Sequence, residues 1–291
     1  MSQRTLVTGA TGFIGAALFS RLQSEGTDVH GTSRRLPGAS GSIHCCDLTD
    51  ATAVSQLMEQ VRPTRLFHLA SHVTGARGVD AVLDTFNGTL RTTVNLLVAS
   101  TLVGVESVVI AGSLEEYPSD EAARYPYAAA KRASQEYARY FAAAHGLPVV
   151  TARLGMVYGP KEPNEHRLVP YVISSQLRGE APAIANGERR VDWIHIDDVV
   201  EGILALAARA KAHAGQAFDI GTGQAPTTSD VVAHLTRFTG GPEATFGSAP
   251  PRANDRDLVA DVERTALATS WRPRIPLEQG LKETVDWYRK R

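Results

Sequence analysis

The sequence predicts an α/β protein built on a doubly wound parallel sheet, and three observations carry this. The chain opens on a glycine-punctuated strand–turn–helix, RTLVTGATGFIGAALF at residues 4–19. Short apolar runs then alternate with helical patterns as far as residue 160. After Gly159 prolines become denser and the alternation loosens, so a smaller mixed α/β C-terminal lobe should follow. Alternation of this kind implies right-handed crossovers between parallel strands.

Thr5–Thr8 reads as a buried parallel strand. It breaks at Gly9, and Gly12 and Gly15 follow at three-residue intervals, with Thr11, Phe13 and Ile14 between and around them. Apolar residues at 13, 14, 17, 18 and 22 have helical spacing. A dinucleotide pyrophosphate needs such a turn. Glycine lets the backbone approach the phosphates, and the helix N-terminus offers free N–H groups. The strand at Val29–Thr32 ends on Ser33, Arg34 and Arg35, where an NAD site usually carries an acid for the ribose 2′-hydroxyl. Guanidinium groups suit a 2′-phosphate, so NADP is favoured, with NAD possible.

Further strands are expected at Ser42–Cys46, Arg65–Leu69, Ser107–Ala111 and Pro148–Leu154, and helices at about 13–24, 51–61, 87–103 and 126–145. This Rossmann-type domain should take residues 1–162 and about 192–222, the chain returning to it near Trp193–Ala208 and Ala217–Thr222. A substrate-binding lobe should take about 163–191 and 223–291.

The 291 residues are 43% hydrophobic with a formal net charge of −1, which argues against nucleic-acid or anionic-membrane partners. No apolar run is long enough to span a bilayer, and the chain enters a strand at once, without room for a signal peptide. Cys45 and Cys46 are adjacent and form neither a disulfide framework nor a zinc motif. They read as small residues of a buried strand in a cytoplasmic protein, and no metal site is expected.

The candidate chemistry lies at residues 111–131. Tyr127 and Lys131 share a helix face four residues apart. An ammonium beside a phenol stabilises the phenolate, which lets the tyrosine exchange a proton with a substrate oxygen. Ser113, beyond a strand end, brings a hydroxyl to the same place. Glu115 and Glu116 read either as catalytic acids or as loop charges at a strand exit. Asp50 reads as a helix N-cap.

The combination of Gly9-Ala-Thr-Gly-Phe-Ile-Gly15, Ser113, Tyr127-Ala-Ala-Ala-Lys131 and Arg153-Leu-Gly-Met-Val-Tyr-Gly-Pro160 resembles the extended short-chain dehydrogenase/reductases. Within them it is similar to the NAD-dependent epimerase/dehydratase group acting on nucleotide sugars. His68-Leu69-Ala70-Ser71 resembles the family's strand-four segment beside the cofactor, and Cys46-Asp47-Leu48 its adenine-side Asp-Leu. Asp192-Trp-Ile-His195-Ile-Asp197-Asp198 resembles its second-lobe signature, although Val191 stands where an Arg often does, after Arg189 and Arg190. Arg252-Ala-Asn-Asp255 resembles its nucleotide-sugar segment. The family's helix asparagine has no clean match, Asn87 being the nearest.

Ser113-Leu-Glu115-Glu-Tyr resembles GDP-4-keto-6-deoxymannose reductase-like enzymes more than 4,6-dehydratases, because Leu114 cannot transfer a proton. The resemblance therefore implies an NADP(H)-dependent oxidoreductase reducing a nucleotide 4-keto-6-deoxyhexose at C4. Tyr127 would be the acid, Lys131 would hold the nicotinamide ribose, Ser113 would orient the carbonyl, and Arg252, then Arg190, would hold the diphosphate. A 4,6-dehydratase or 4-epimerase with retained cofactor is the alternative, and a non-catalytic cofactor sensor is the alternative of another class. The resemblance also implies a homodimer through the helices at 87–103 and 126–145, on a face formed by Leu96, Val103, Tyr137 and Phe141.

Overall fold

The computed structural model describes residues 3–34, 41–116, 121–247 and 257–291. Seven parallel strands form the central sheet: β1 (Arg4–Thr8), β2 (Asp28–Ser33), β3 (Ile43–Cys45), β4 (Arg65–His68), β5 (Ser107–Ser113), β6 (Val149–Leu154) and, after three short strands given below, β10 (Ala217–Ile220). Their spatial order is β3-β2-β1-β4-β5-β6-β10, so the order reverses between β1 and β4. Ligands of such sheets bind at the carboxyl ends beside that reversal.

Helices α1 (Phe13–Ser24), α2 (Ala51–Val61), α3 (Ala81–Thr85), α4 (Thr92–Val103) and α5 (Pro126–His145) connect the strands. The period of two in each strand divides the core. Val7, Val109 and Val150 join Leu18, Phe19 and Phe218 on one face. Leu6, Val108 and Val149 join Leu57, Met58, Leu96 and Phe141 on the other. Asp50 caps α2 by accepting from Thr52 and Ala53 N–H. The helix expected at about 87–103 is present, its first turns wide (Phe86–Arg91) and the remainder α4, and it continues from α3.

The smaller lobe contains β7 (Met156–Tyr158), α6 (Leu168–Leu177), β8 (Ala183–Ile184), β9 (Trp193–His195), α8 (Thr228–Thr239), β11 (Thr245–Phe246) and α10 (Leu277–Arg289). Its core unites Val169, Ile173, Trp193, Val231, Leu235, Leu281 and Val285. α7 (Ile196–Arg209) and α9 (Val262–Thr269) contribute instead to the core of the main sheet, through Ile203 and Ala268.

Three expectations need correction. Trp193–His195 pairs with β7 in a separate two-stranded ladder rather than joining the seven-stranded sheet, although Ile194 packs in that sheet's core, and α7 and β10 follow it there. Cys45 is exposed while Cys46 is buried, because alternation at the short β3 turns neighbouring side chains to opposite sides. Leu96 and Phe141 lie in the protomer's own core, leaving Val98, Leu102, Tyr137 and Tyr140 as exposed apolar residues on α4 and α5.

Candidate active site

The glycine turn is shaped by contacts that side chains would obstruct. Gly9 has φ +69°, and a Cβ there would come 2.9 Å from the Ala70 backbone. A Cβ on Gly15 would lie 2.0 Å from the Gly9 carbonyl oxygen. Helix α1 thus starts hard against the end of β1. Gly12 is its N-cap, no side chain caps it, and its first turn carries no acid. These residues fit a dinucleotide pyrophosphate: the backbone is bare where phosphates approach, and the first N–H groups are not taken by a side chain. Ile14, Leu69 and Ser71 line the adjoining cavity.

At the end of β2, Thr11 Oγ1 donates to Ser33 Oγ at 3.3 Å, and Arg34 follows, exposed. Asp28 lies at the opposite end of the strand, paired with Arg4. The strand end therefore presents a hydroxyl and a guanidinium rather than a carboxylate. Arg35 lies outside the described residues. Asp47, exposed, accepts from Thr49 N–H and Oγ1, which holds its carboxyl below the usual range, and Leu48 beside it is buried.

Strand β5 and helix α5 bring Ser113, Tyr127 and Lys131 together. Tyr125 precedes α5 in an extended conformation, and Pro126 occupies the first turn, where its missing N–H costs nothing. Tyr127 therefore sits one turn before Lys131. The tyrosine hydroxyl hydrogen-bonds Ser113, and the Lys131 Nζ lies 5.6 Å from the Tyr127 ring centroid. Lys131 is 5% exposed and donates to the Ala111 carbonyl at 2.6 Å. Burial, and after it the charge of Glu116, hold the Tyr127 phenol above its ordinary range, while Arg167 and Ser113 act the other way. Burial thus outweighs the lowering expected from Lys131, whose own ammonium is pushed down by the same burial and held up by Glu116.

Across the cleft stands Arg189, which with Arg190 precedes Val191 at the signature's arginine position. Arg189 Nη2 donates to Glu115 Oε1 at 2.8 Å, joining the β5 exit to the smaller lobe. The Arg189 Nε is buried without a partner among the described residues. Arg190 is exposed, donates to the Ala225 carbonyl, and does not line the cleft. Arg252 and Asp255 lie outside the described residues. Asn87 sits in the wide-turned segment, away from the cavity lining.

The cleft encloses about 750 Å³ between Ser71, Ser113, Tyr127 and Lys131 on one side and Arg167, Tyr171 and Arg189 on the other. Arg167 carried no sequence signal, since only folding of 162–168 over the β5 exit places it near Tyr127. Two signature acids prove structural. Asp192, fully buried, accepts from Thr222 N–H and Oγ1, Gly223 N–H and Ala260 N–H. Asp198 accepts from Arg274 and Ile275 N–H. Among the described residues no cluster of His, Cys, Asp and Glu is arranged to hold a metal, and no helix is long and apolar enough to cross a membrane.

A nucleotide cradle, a serine–tyrosine–lysine trio and a facing lobe with cationic residues define a nicotinamide-dependent enzyme of the short-chain dehydrogenase type. The chain belongs to the NAD dependent epimerase/dehydratase family, whose model matches residues 5–221. It is 30% identical to a UDP-glucose 4-epimerase of Mycolicibacterium smegmatis over 99% of both chains. It is 30% identical to a dTDP-glucose 4,6-dehydratase of Streptomyces griseus over 100% of this chain and 95% of that one. The crystal structure of a Thermus thermophilus UDP-glucose 4-epimerase complexed with NAD superposes with a TM-score of 0.84 at 26% identity, covering 98% of this chain and 99% of that one.

Proposed function

We propose that this enzyme moves hydride from and to C4 of a nucleotide-activated hexose without eliminating water, that is, as a 4-epimerase with retained cofactor. One observation carries the absence of elimination. At the β5 exit, Leu114 is packed against Leu258 and Ala260, and Glu115 is engaged by Arg189. Among the described residues that line the cleft, Glu115 is the one acid, and Leu114 beside it cannot transfer a proton. Full-length similarity to a UDP-glucose 4-epimerase supports epimerisation over reduction.

The cofactor, held by Gly9, Thr11, Gly12, Phe13, Ile14 and Gly15, supplies when bound the hydride acceptor and donor. Tyr127 takes the proton of the C4 hydroxyl as the carbonyl forms, and returns it as the alcohol re-forms. Ser113 holds the same oxygen. Lys131 places positive charge beside the tyrosine ring and would hold the nicotinamide ribose of a bound cofactor. Arg189 and Arg167, which line the cleft, are the cations assigned to the diphosphate together with Arg252 and then Arg190, and Asp255 is assigned to the substrate.

Reduction of a 4-keto-6-deoxyhexose is the second reading, supported by Ser33 and Arg34 at the end of β2. They suit NADP, and a net reductase draws on NADPH. The residues exposed on α4 and α5, Leu102 and Tyr140 among them, suit a homodimer interface in a cytoplasmic enzyme. The nucleotide domain comprises 1–162 and 192–222 in this reading, and 163–191 with 223–291 forms the substrate lobe.

The test is incubation with UDP-glucose, dTDP-glucose and a dTDP-4-keto-6-deoxyhexose, each with NAD(H) and NADP(H), following reduced-cofactor absorbance and product. An isomeric sugar with no net change in cofactor supports epimerisation. Stoichiometric NADPH consumption replaces it with reduction. Accumulation of a 4-keto-6-deoxy product from a dTDP-hexose shows dehydration, and no turnover with any pair leaves a binding protein.

A further inference from the structure

The acid beside the catalytic pair is not a solvated loop charge. Glu116 is 4% exposed, at the end of the single turn that follows β5. Its Oε1 accepts the Ser113 N–H at 2.7 Å, and its Oε2 has no hydrogen-bond partner among the described residues. Its backbone carbonyl accepts from Arg132 Nη2 at 2.8 Å, which fixes the turn from outside. Gly112 leaves room for the carboxylate where it stands, since a Cβ there would lie 2.7 Å from Oε1.

The groups acting on it come from every element packed there: Lys131 on α5, Arg153 on β6 and Asp219 on β10. Arg153 and Asp219 pair at 2.8 Å, with side chains 8% and 2% exposed. Lys131 and Arg153 both act on the Glu116 carboxylate, Lys131 the more strongly. Among the described residues Lys131 has no carboxylate within ion-pair distance, and it donates to the neutral Ala111 carbonyl. Lys131 also faces His68, which is buried and neutral, and Tyr127 faces Arg167, Glu115 and Glu116.

We propose that Glu116 is the buried counter-charge of Lys131, a positioning residue that keeps the lysine an ammonium while holding Ser113 in place through its backbone. This rests on Tyr127 and Lys131 being the catalytic pair. Isolated burial of an ammonium favours its neutral form, and an opposite charge nearby reverses that preference. Here burial pushes Lys131 down and Glu116 pushes it up, while burial raises Glu116 and Lys131 and Arg153 lower it. The pair therefore ionises together. The same carboxylate disfavours the Tyr127 phenolate, so losing it has one sign on both groups: each gives up its proton at lower pH.

Glu116→Gln isolates the charge, because the amide oxygen still accepts the Ser113 N–H. The chain has only five lysines, so side-chain NMR of isotope-labelled lysine resolves Lys131, assigned through Lys131→Arg. In the protein without substrate, Lys131 should lose its proton about one pH unit or more lower in Glu116→Gln than in the parent. Glu116→Asp, which keeps the charge, should restore most of that difference. In turnover, both limbs of the pH profile should move to lower pH in Glu116→Gln, whereas a purely structural role would lower the rate without moving them. An unchanged Lys131 titration in the folded Glu116→Gln protein overturns the proposal. If that variant does not fold, the reciprocal measurement decides. In Lys131→Met, a labelled Glu116 carboxyl must protonate at higher pH than in the parent, and an unchanged value overturns the proposal. Tyr127→Phe separates the two levels: retained turnover there removes the catalytic pair, whatever Lys131 does.

Discussion

Replacing Glu115 by Gln distinguishes hydride exchange from elimination by magnitude. Glu115 accepts Arg189 Nη2 at 2.8 Å, and both side chains are 18% exposed. Gln keeps the shape and one acceptor but loses the charge. A charge-assisted hydrogen bond is worth about 1.5–3 kcal/mol and a neutral one about 0.5–1.5 kcal/mol. The difference is roughly 1 kcal/mol, or about fivefold in rate or affinity. Since no C5 proton moves in C4 epimerisation or reduction, turnover should fall by no more than about that factor. Were Glu115 the C5 base, the amide could not accept the proton and the loss would be about 10²–10⁴-fold. Hydride would still leave C4, so reduced cofactor would build up on the enzyme. Stopped-flow absorbance of reduced cofactor, with product analysis on the same sample, reads both quantities. A loss beyond about a hundredfold with reduced cofactor accumulating refutes the assignment of Glu115 to the Arg189 contact alone.

Three further outcomes follow from the same structure. Arg34→Ala should weaken NADPH binding about tenfold or more and leave NADH nearly unchanged, the worth of one charge-assisted contact; equal parent affinities for the two cofactors would contradict the role of Arg34. Gly15→Ala places a methyl 2.0 Å from the Gly9 carbonyl oxygen, so it should cost about 1–3 kcal/mol in thermal or denaturant unfolding and impair cofactor titration. His68 lies between the Thr8 and Thr93 hydroxyls at 2.8 and 3.1 Å, and burial brings its pKa down to about 3. The unfolded chain binds that proton near pH 6.5, so the contribution is complete above pH 6.5 and is lost as pH falls toward 3, by about 1.4 kcal/mol per unit. Denaturant midpoints at pH 7 and 5 should show a shallower slope in His68→Gln.

Local periodicity and glycine placement sufficed for the sheet and the trio. The helices expected at 13–24 and 51–61 coincide with α1 and α2, because caps and apolar spacing are properties of adjacent residues. Ser113, Tyr127 and Lys131 were legible because a strand end and one helical turn fix their relative positions. The same kind of reading misplaced Leu96 and Phe141, since an apolar stripe looks identical whether it faces a core or a partner. Glu116 shows the limit most clearly. In sequence it is one of two adjacent acids at a strand exit. Whether each is solvated, paired or buried depends on which way a single turn carries it. That turn sends Glu115 across the cleft to Arg189 and Glu116 inward beside Gly112, toward Lys131, Arg153 and Asp219. Arg153 and Asp219, 37 and 103 positions from Glu116, thus act on its carboxylate, and only the packing of β5, β6, β10 and α5 brings them together. Local pattern was enough for most strands and helices and for the types of reactive side chain, whereas the charge environment arose only on folding, because burial and charge proximity are long-range in the chain and short-range in space.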